Sequence, residues 1–484
     1  MEKRKHLLLF LVSFVFVTLF SRSTSFLYVF EGADPSVFKQ MGRAILNGKI
    51  LYIDYFDNKG CLLYFIHALG LWLGGDFFIL LMQTLSLSVT LIIWNKLLAL
   101  YQNRRQRFVC LGIALLLLAC FYGAGDQTQE WCLPFVSYPL LVMLRSYKAK
   151  NVILPLQMFL IGLCFGIITL IQINNACAFL GFIAYLWIQY LFKKDFKKLC
   201  SSVGFFFLGW VVVVMVSVLY FYFKAGWNGV HEMVYASFLS NFEYIGVQHR
   251  RKWIYWLPYM GFLFSLATIQ LLNCRKEKDL LISFFISLLL FIGTFGRQFN
   301  SFYLIAILPL VIIGMMTFDF NEFRTIKTCL VTMTMACVFF MGSIVFFHVF
   351  NDLIIGNEKE VTIYEDFHRC VENIPKNERD SIFNYNLFWH GTSMMEHEEL
   401  IQTNRVLFTS LLFDLSTLQK EENSKPHAIP LWMLFSYEMR YYPEDAYFIQ
   451  NNYDLCCQFH YDRTFLKTYG IGHEFEVCLF RRKE

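Results

Sequence analysis

The sequence predicts a polytopic α-helical membrane protein, and three observations carry that prediction. Of 484 residues, 57% are hydrophobic and 16% charged, against about 45–50% and about 25% in a soluble domain. Apolar runs recur through the first 350 positions, most of them near the length of about 20 residues that a helix needs to cross lipid. Basic clusters return at every second gap between those runs. Such a composition excludes a disordered chain, and 14 Cys are too sparse for a disulfide scaffold. The net charge of +5 does not require a nucleic-acid partner if the Lys and Arg lie in loops on one side of a membrane.

About eleven spans are expected, at 7–21, 77–100, 108–122, 132–144, 152–170, 176–192, 203–223, 253–272, 280–295, 302–317 and 328–349. The loops test this count independently. Lys3, Arg4 and Lys5 precede the first run, and Arg104, Arg105 and Arg107 follow the second. Arg145, Lys148 and Lys150 follow the fourth, Lys193, Lys194, Lys197 and Lys198 the sixth, Arg275, Lys276 and Lys278 the eighth, and Arg324 and Lys327 the tenth. The short gaps 123–131 and 171–175 contain no Lys or Arg. Positive-inside insertion then places the N-terminus in the cytoplasm and, with an odd number of spans, the C-terminal residues outside. A signal peptide over 1–21 is the alternative, but no A-x-A-like site follows and its removal leaves the remaining alternation unexplained.

The expected organisation is a transmembrane domain over 1–350 and a small soluble α/β domain over 351–484. The tail is charged, carries β-like runs at Ser381–Asn386, Arg405–Phe408 and Glu474–Phe480, and has an amphipathic stretch at Leu415–Glu421. Its Cys370, Cys456, Cys457 and Cys478 suit a disulfide outside the cell, whereas adjacent Cys456 and Cys457 match no metal-ligand spacing.

Almost every ionisable residue lies outside the span interiors, with Lys96 and His348 near span ends. Ion-coupled transport usually places charges near the midplane, so this pattern disfavours it. Chemistry is expected at the outer face, where the long first external loop gathers Glu31, Asp34, Lys39, Arg43, Asp54, Asp57 and Lys59. Asp34-Pro35 reads as an N-cap followed by proline at the first helical position. Val37, Phe38, Met41, Ile45 and Leu46 then mark one face of an amphipathic juxtamembrane helix that stops at Gly48. A second helix starts after Asp57-Asn58-Lys59-Gly60 and ends by Gly74-Gly75. On local sequence alone Asp34 and Asp57 are equally well helix caps, and Lys59 a snorkelling cation.

The stretch G-A-D-P-S-V-F-K-Q-M-G-R-A-I-L-N-G-K-I-L-Y-I-D-Y-F-D-N-K-G, Gly32 to Gly60, resembles the first external loop of bacterial integral-membrane glycosyltransferases of the GT-C fold. These are relatives of glycosyltransferase family 39, which includes protein O-mannosyltransferases and the aminoarabinose transferases of lipid A. Typical members read D-x-x-x-F-x-x-x-G-x-x-x-L-x-G-x-x-P/L-Y-x-D-x-x-D-x-K-x-P. Thr128-Gln129-Glu130-Trp131-Cys132-Leu133-Pro134 is similar to the family's T-E-E-x-x-x-P loop, and Gly296-Arg297-Gln298-Phe299-Asn300 to a late Arg motif. Two departures are Cys61, where the family often has Pro, and Ser301-Phe302, where it often has His-Tyr.

The resemblance implies transfer of a sugar from a polyprenyl-phosphate lipid to a hydroxyl of a glycan, glycolipid or protein outside the cytoplasm, with inversion. A carboxylate must take the acceptor's proton, and cations must steady the departing phosphate. Asp34 matches the family's base, and a helix N-terminus would keep it ionised. Lys59 matches the phosphate-side lysine, and Arg297 is the second phosphate candidate, since guanidinium can engage phosphate as a bidentate fork. Asp54 and Asp57 orient the acceptor or hold Lys59, or else cap and bond the loop.

Glu130 either faces Asp34 as a second acid or sits in the first-turn dipole, with Asp126 and Gln129 at capping-box spacing. Two close carboxylates either raise one pKa or bind a divalent cation, so any metal would sit at Asp34 and Glu130. In the loop 224–252, His231, Glu232, His249, Arg250, Arg251 and Lys252 form either a lipid-phosphate contact or a solvated edge. There is no Walker A, Rossmann, G-x-S-x-G or H-E-x-x-H pattern. The expected site is the inner membrane of a bacterium. A lipid-linked-glycan flippase or other transporter is the alternative function, and a noncatalytic assembly partner the third.

Overall fold

A computed structural model describes residues 2–23, 32–123, 125–240, 253–274, 277–295, 301–318, 324–350, 358–379, 381–400, 430–439, 443–462 and 474–483. The chain is mostly helical. In order come α1 (Glu2–Phe20), α2 (Ala33–Leu46), α3 (Cys61–Gly74), α4 (Asp76–Leu98), α5 (Arg104–Phe121), α6 (Thr128–Ala149) and α7 (Pro155–Gln172). They are followed by α8 (Cys177–Phe192), α9 (Phe196–Val234), α10 (Trp253–Asn273), α11 (Lys278–Phe295), α12 (Leu308–Met316) and α13 (Arg324–Phe350). Each expected apolar run falls on helix. Among the described residues, Asp76–Leu98, Pro155–Phe192, Phe196–Leu239, Lys278–Phe295 and Thr325–Gly342 are long and apolar enough to cross a membrane by length and composition.

The chain divides into two compact units. The first comprises Met1–Ser21, Asn58–Leu63 and Leu80–Phe350. Small residues set its helix packing, because apolar side chains gain little from leaving lipid and close backbone approach must supply the attraction. A Cβ on Gly162 of α7 would stand 2.0 Å from the Phe206 carbonyl of α9, and one on Gly209 would stand 2.2 Å from the Phe159 carbonyl. Phe165 stacks on Phe206 at 5.3 Å beside this contact, and Trp210 Nε1 donates to Thr169 at 3.2 Å. Helix α9 is broken at Ala225 and Gly226, where Gly226 takes φ 64 and ψ −155. Glycine alone visits that region without strain, so the apolar run ending at 223 stops there for a backbone reason.

The second unit comprises Arg22–Asp57, Tyr64–Ile79 and Asn351–Glu484. The loop after α1 is therefore packed with the tail. Its C-terminal part runs α14 (Glu358–Glu372), β1 (Ile382–Asn384), α15 (Phe388–His397), β2 (Trp432–Phe435), α16 (Pro443–Asn452), β3 (Tyr453–Asp462) and β4 (Glu474–Arg482). The strands form one sheet in the order β1-β2-β4-β3, with β1 parallel to β2 and the other pairs antiparallel. Alternate side chains enter two cores, Ile382, Trp432, Leu434 and Leu479 on one face and Phe383, Met433, Phe435 and Phe480 on the other. A disulfide joins Cys370 of α14 to Cys457 of β3. The β-like runs at Ser381–Asn386 and Glu474–Phe480 coincide with β1 and β4, whereas Arg405–Phe408 and Leu415–Glu421 lie outside the described residues.

Candidate active site

In the first unit, the residue after Lys59 is fixed by sterics. Gly60 N donates to Ile171 O at 2.9 Å, and a Cβ on Gly60 would stand 2.2 Å from the Leu170 carbonyl oxygen. The half-buried Lys59 is thereby held beside the last turn of α7. Cys61, in place of the family's usual Pro, begins α3, is fully buried and contacts Ser217 of α9 at 3.5 Å. The same last turn of α7 reaches the start of α6, because Thr128 Oγ1 bonds Gln172. Lys59 and Glu130 are thus tied to one helix end within one unit.

Glu130 is 1% exposed and stands in the first turn of α6, ahead of the apolar run 132–144. Both its oxygens are engaged, one by the Tyr122 hydroxyl and the other by Asp126 N at 3.0 Å. Burial pushes its carboxyl up to about 8, against the hydrogen bond from Tyr122 and with the Asp126 charge adding to the rise. Burial thus favours its protonated form. The capping-box reading of Asp126 and Gln129 is corrected here. The cap of α6 is Gln127, with no side-chain bond, and Asp126 sits at φ 55 with its carboxylate taking Trp131 Nε1 at 2.6 Å. The left-handed turn through Gly125 and Asp126 points the carboxylate at the indole instead of at the helix amides.

In the second unit, α2 carries Asp34, but not as its cap. Gly32, at φ −70 and ψ 165, is the cap residue, and Ser36 N makes the first helical bond to Gly32 O at 3.1 Å. Asp34 lies in the first turn, half-buried, and Pro35 follows where a helix has no amide partner to lose. The stop at Gly48 is as expected. At φ 79, its N donates to Ile45 O and Lys49 N donates to Ala44 O, both at 3.0 Å, which closes a Schellman motif.

Protein covers the polar face of α2, and Val37, Phe38 and Met41 of its apolar face are buried as well. Lys39 and Gln40 are 1% and 2% exposed. Lys39 Nζ lies 2.6 Å from Asp76 Oδ1, Gln40 Nε2 donates to Leu400 O at 2.9 Å, and Arg43 Nη2 lies 2.6 Å from Glu396 Oε1. Gly42 lets α2 press on the α3 backbone, where a Cβ would come within 2.8 Å of Ala68 N. Charges on an amphipathic helix are ordinarily solvated, and only the distant acidic partners make this burial affordable.

Asp54 closes its own loop, accepting from Ile50 N at 2.7 Å. Asp57 accepts from the Tyr64 hydroxyl at 2.7 Å. Asp34, Asp54 and Asp57 share this unit, whereas Lys59 and Glu130 belong to the other. Arg297 lies outside the described residues, as do His249, Arg250, Arg251 and Lys252. Local sequence carried no sign of Tyr122 or Glu396, whose partners are set by tertiary structure.

The family described as "Putative competence-induced protein Ccs4 N-terminal domain" matches residues 1–327. The chain belongs to the Ccs4 N-terminal family. No curated protein matches it. Among solved structures, this Ccs4 family member is similar to ArnT from Cupriavidus metallidurans bound to undecaprenyl phosphate, with 10% identity and a TM-score of 0.58, covering 98% of this chain and 97% of that one. It is also similar to the apo state of the same ArnT, with 12% identity and a TM-score of 0.55 over 99% and 98% of the two chains. The chain therefore has a GT-C fold along nearly its whole length.

Among the described residues no group of three His, Cys, Asp or Glu side chains is arranged to hold a metal ion. Asp34 and Glu130, the two carboxylates at which any metal would sit, belong to different units.

Proposed function

We propose that this chain is an inverting glycosyltransferase that moves a hexosyl or pentosyl group from a polyprenyl-phosphate donor to a hydroxyl acceptor at the outer face of the membrane. The observation that carries the reading is the GT-C fold shared with an ArnT crystallised with undecaprenyl phosphate. The Gly32–Gly60 loop supplies the residues such a reaction needs. The acceptor oxygen attacks the anomeric carbon as the bond from that carbon to the phosphate oxygen breaks. The acceptor proton passes to Asp34, and the lipid phosphate leaves against the positive charge of Lys59 and Arg297. Asp54 and Asp57 shape the acceptor side by holding the loop, and Glu130 shapes the second loop as a neutral acid.

About eleven spans, a transmembrane domain over 1–350 and an extracytoplasmic domain over 351–484 belong to the same reading, with the N-terminus in the cytoplasm of a bacterium. The alternation of basic loops supports that orientation, and the Cys370–Cys457 disulfide supports an oxidising compartment for the tail. The test is sugar transfer by the purified chain from polyprenyl-phosphate sugars. Asp34→Asn should lose transfer by at least about a hundredfold while donor binding persists. Transfer at the parental rate would remove Asp34 as base. A parent that moves lipid-linked sugar across vesicles without transferring it would replace this reading with the flippase one.

A further inference from the structure

At the opposite end of the first unit, two helices bring three cations to one crevice. Lys5 of α1 and Arg104 and Arg107 of α5 line it with Asn95 of α4 and Leu8 of α1. Among the described residues no carboxylate pairs with these three cations. Arg107 Nη1 donates to Asn95 Oδ1 at 3.4 Å, while its Nε is buried without an acceptor. A guanidinium offers five donors in a fixed fork, and leaving one buried and unmet is costly unless an anion completes it.

Beyond the crevice, α1 carries an exposed apolar stripe. Leu8, Leu11, Val15 and Leu19 are 50%, 50%, 55% and 37% exposed. Their spacing of three or four residues puts them on one face of α1, and Leu11, Val15 and Leu19 line a groove. From Leu8 to Leu19 this stripe rises about 16 Å, close to the roughly 15 Å of one leaflet's hydrocarbon.

We propose that this crevice and groove bind one anionic phospholipid, its phosphate held by Lys5, Arg104 and Arg107 and an acyl chain lying along α1. Basic pockets between membrane helices recognise anionic head groups through charge, and the adjoining stripe distinguishes a lipid from a free phosphate. The inference does not depend on the glycosyltransferase reading, because none of these residues belongs to the candidate active site.

The test uses the full chain purified in detergent, with phosphatidylglycerol, phosphatidylcholine and inorganic phosphate as probes and bound lipid read by native mass spectrometry. The parent should hold phosphatidylglycerol at least about tenfold more tightly than phosphatidylcholine, about fivefold less after Arg107→Gln, and about a hundredfold less after Lys5→Gln, Arg104→Gln and Arg107→Gln together. Equal binding of the two lipids by the parent would overturn the proposal without recourse to any variant. So would parental affinity in the triple variant. Displacement of the lipid by about millimolar inorganic phosphate would overturn the lipid as the occupant, since a seated acyl chain adds affinity that the free ion lacks.

Discussion

Arg43 Nη2 lies 2.6 Å from Glu396 Oε1, an ion pair joining residues 353 positions apart in sequence. Glu396 is 3% exposed and Arg43 19%, so the pair is largely out of water, while the second partner Glu399, at 76%, remains solvated. Burial raises the Glu396 carboxyl, with Arg43 and then Lys39 opposing the rise. The helix that carries Asp34 is thereby fastened to the tail of the chain. Asp34 is not set by the first loop alone.

Removing either partner strands the other charge. Glu396→Ala and Arg43→Ala should each destabilise the second unit by about 3–5 kcal/mol, the usual penalty for breaking a buried pair. Glu399→Ala should cost less than about 1 kcal/mol, as exposed pairs do. Chemical unfolding measures all three, and a double variant costing less than the sum of the singles shows the coupling directly. Single changes of Glu396 and Arg43 that cost no more than Glu399→Ala would mean the pair holds nothing.

Glu130 offers a sharper test of charge against shape. A carboxyl held up to about 8 is neutral at pH 7, so an uncharged amide of the same shape can replace it. Glu130→Gln should retain near-parental stability. Glu130→Ala should lose about 1–3 kcal/mol, because the Asp126 amide and the Tyr122 hydroxyl lose their acceptor. Thermal unfolding distinguishes the two variants, and equal losses would mean that the carboxylate is ionised.

Gly60 tests placement of Lys59 without touching the lysine. An added methyl meets the Leu170 carbonyl at 2.2 Å, and backbone at that point must move. A displacement of about 1 Å at a reacting group costs on the order of a hundredfold in rate, so Gly60→Ala should lower kcat by about that factor with donor affinity less affected. Steady-state kinetics would show a change in KM alone if Lys59 only binds.

The apolar runs and the basic gaps between them were legible because both are local, and the runs fall on helix. The tail was half legible. Strand β4 alternates and was readable, whereas β2, Trp432–Phe435, is buried on both faces and shows no alternation. Strand β3 carries an irregularity between Leu455 and Cys457 that breaks the period of two. At the candidate site the loop residues were readable from their motif, but what covers α2 was not. Glu396 and Leu400 lie more than three hundred residues away, and no periodicity in α2 announces them.

The contact between α14 and the end of α15 predicts a pH window. His368 Nδ1 lies 2.9 Å from Glu398 Oε2, and the hydrogen bond it donates to this carboxylate, then the carboxylate's charge, raises the imidazole above its ordinary 6.5. Burial pushes the Glu398 carboxyl up, but hydrogen bonds from His397 and His368 outweigh it and leave the pKa lowered from 4.5. The raised imidazole contributes stability that is full below its unfolded value and disappears as pH climbs through the folded one. The lowered carboxylate contributes stability that is present above its unfolded value and disappears as pH falls through the folded one. The tie is therefore complete between about pH 4.5 and about pH 6.5 and weakens on both sides. Raising the pH from about 6 to about 9 should lower the melting temperature of the parent more than that of His368→Gln, in which this proton is absent. Parallel declines in parent and variant would show that other groups set the alkaline limb.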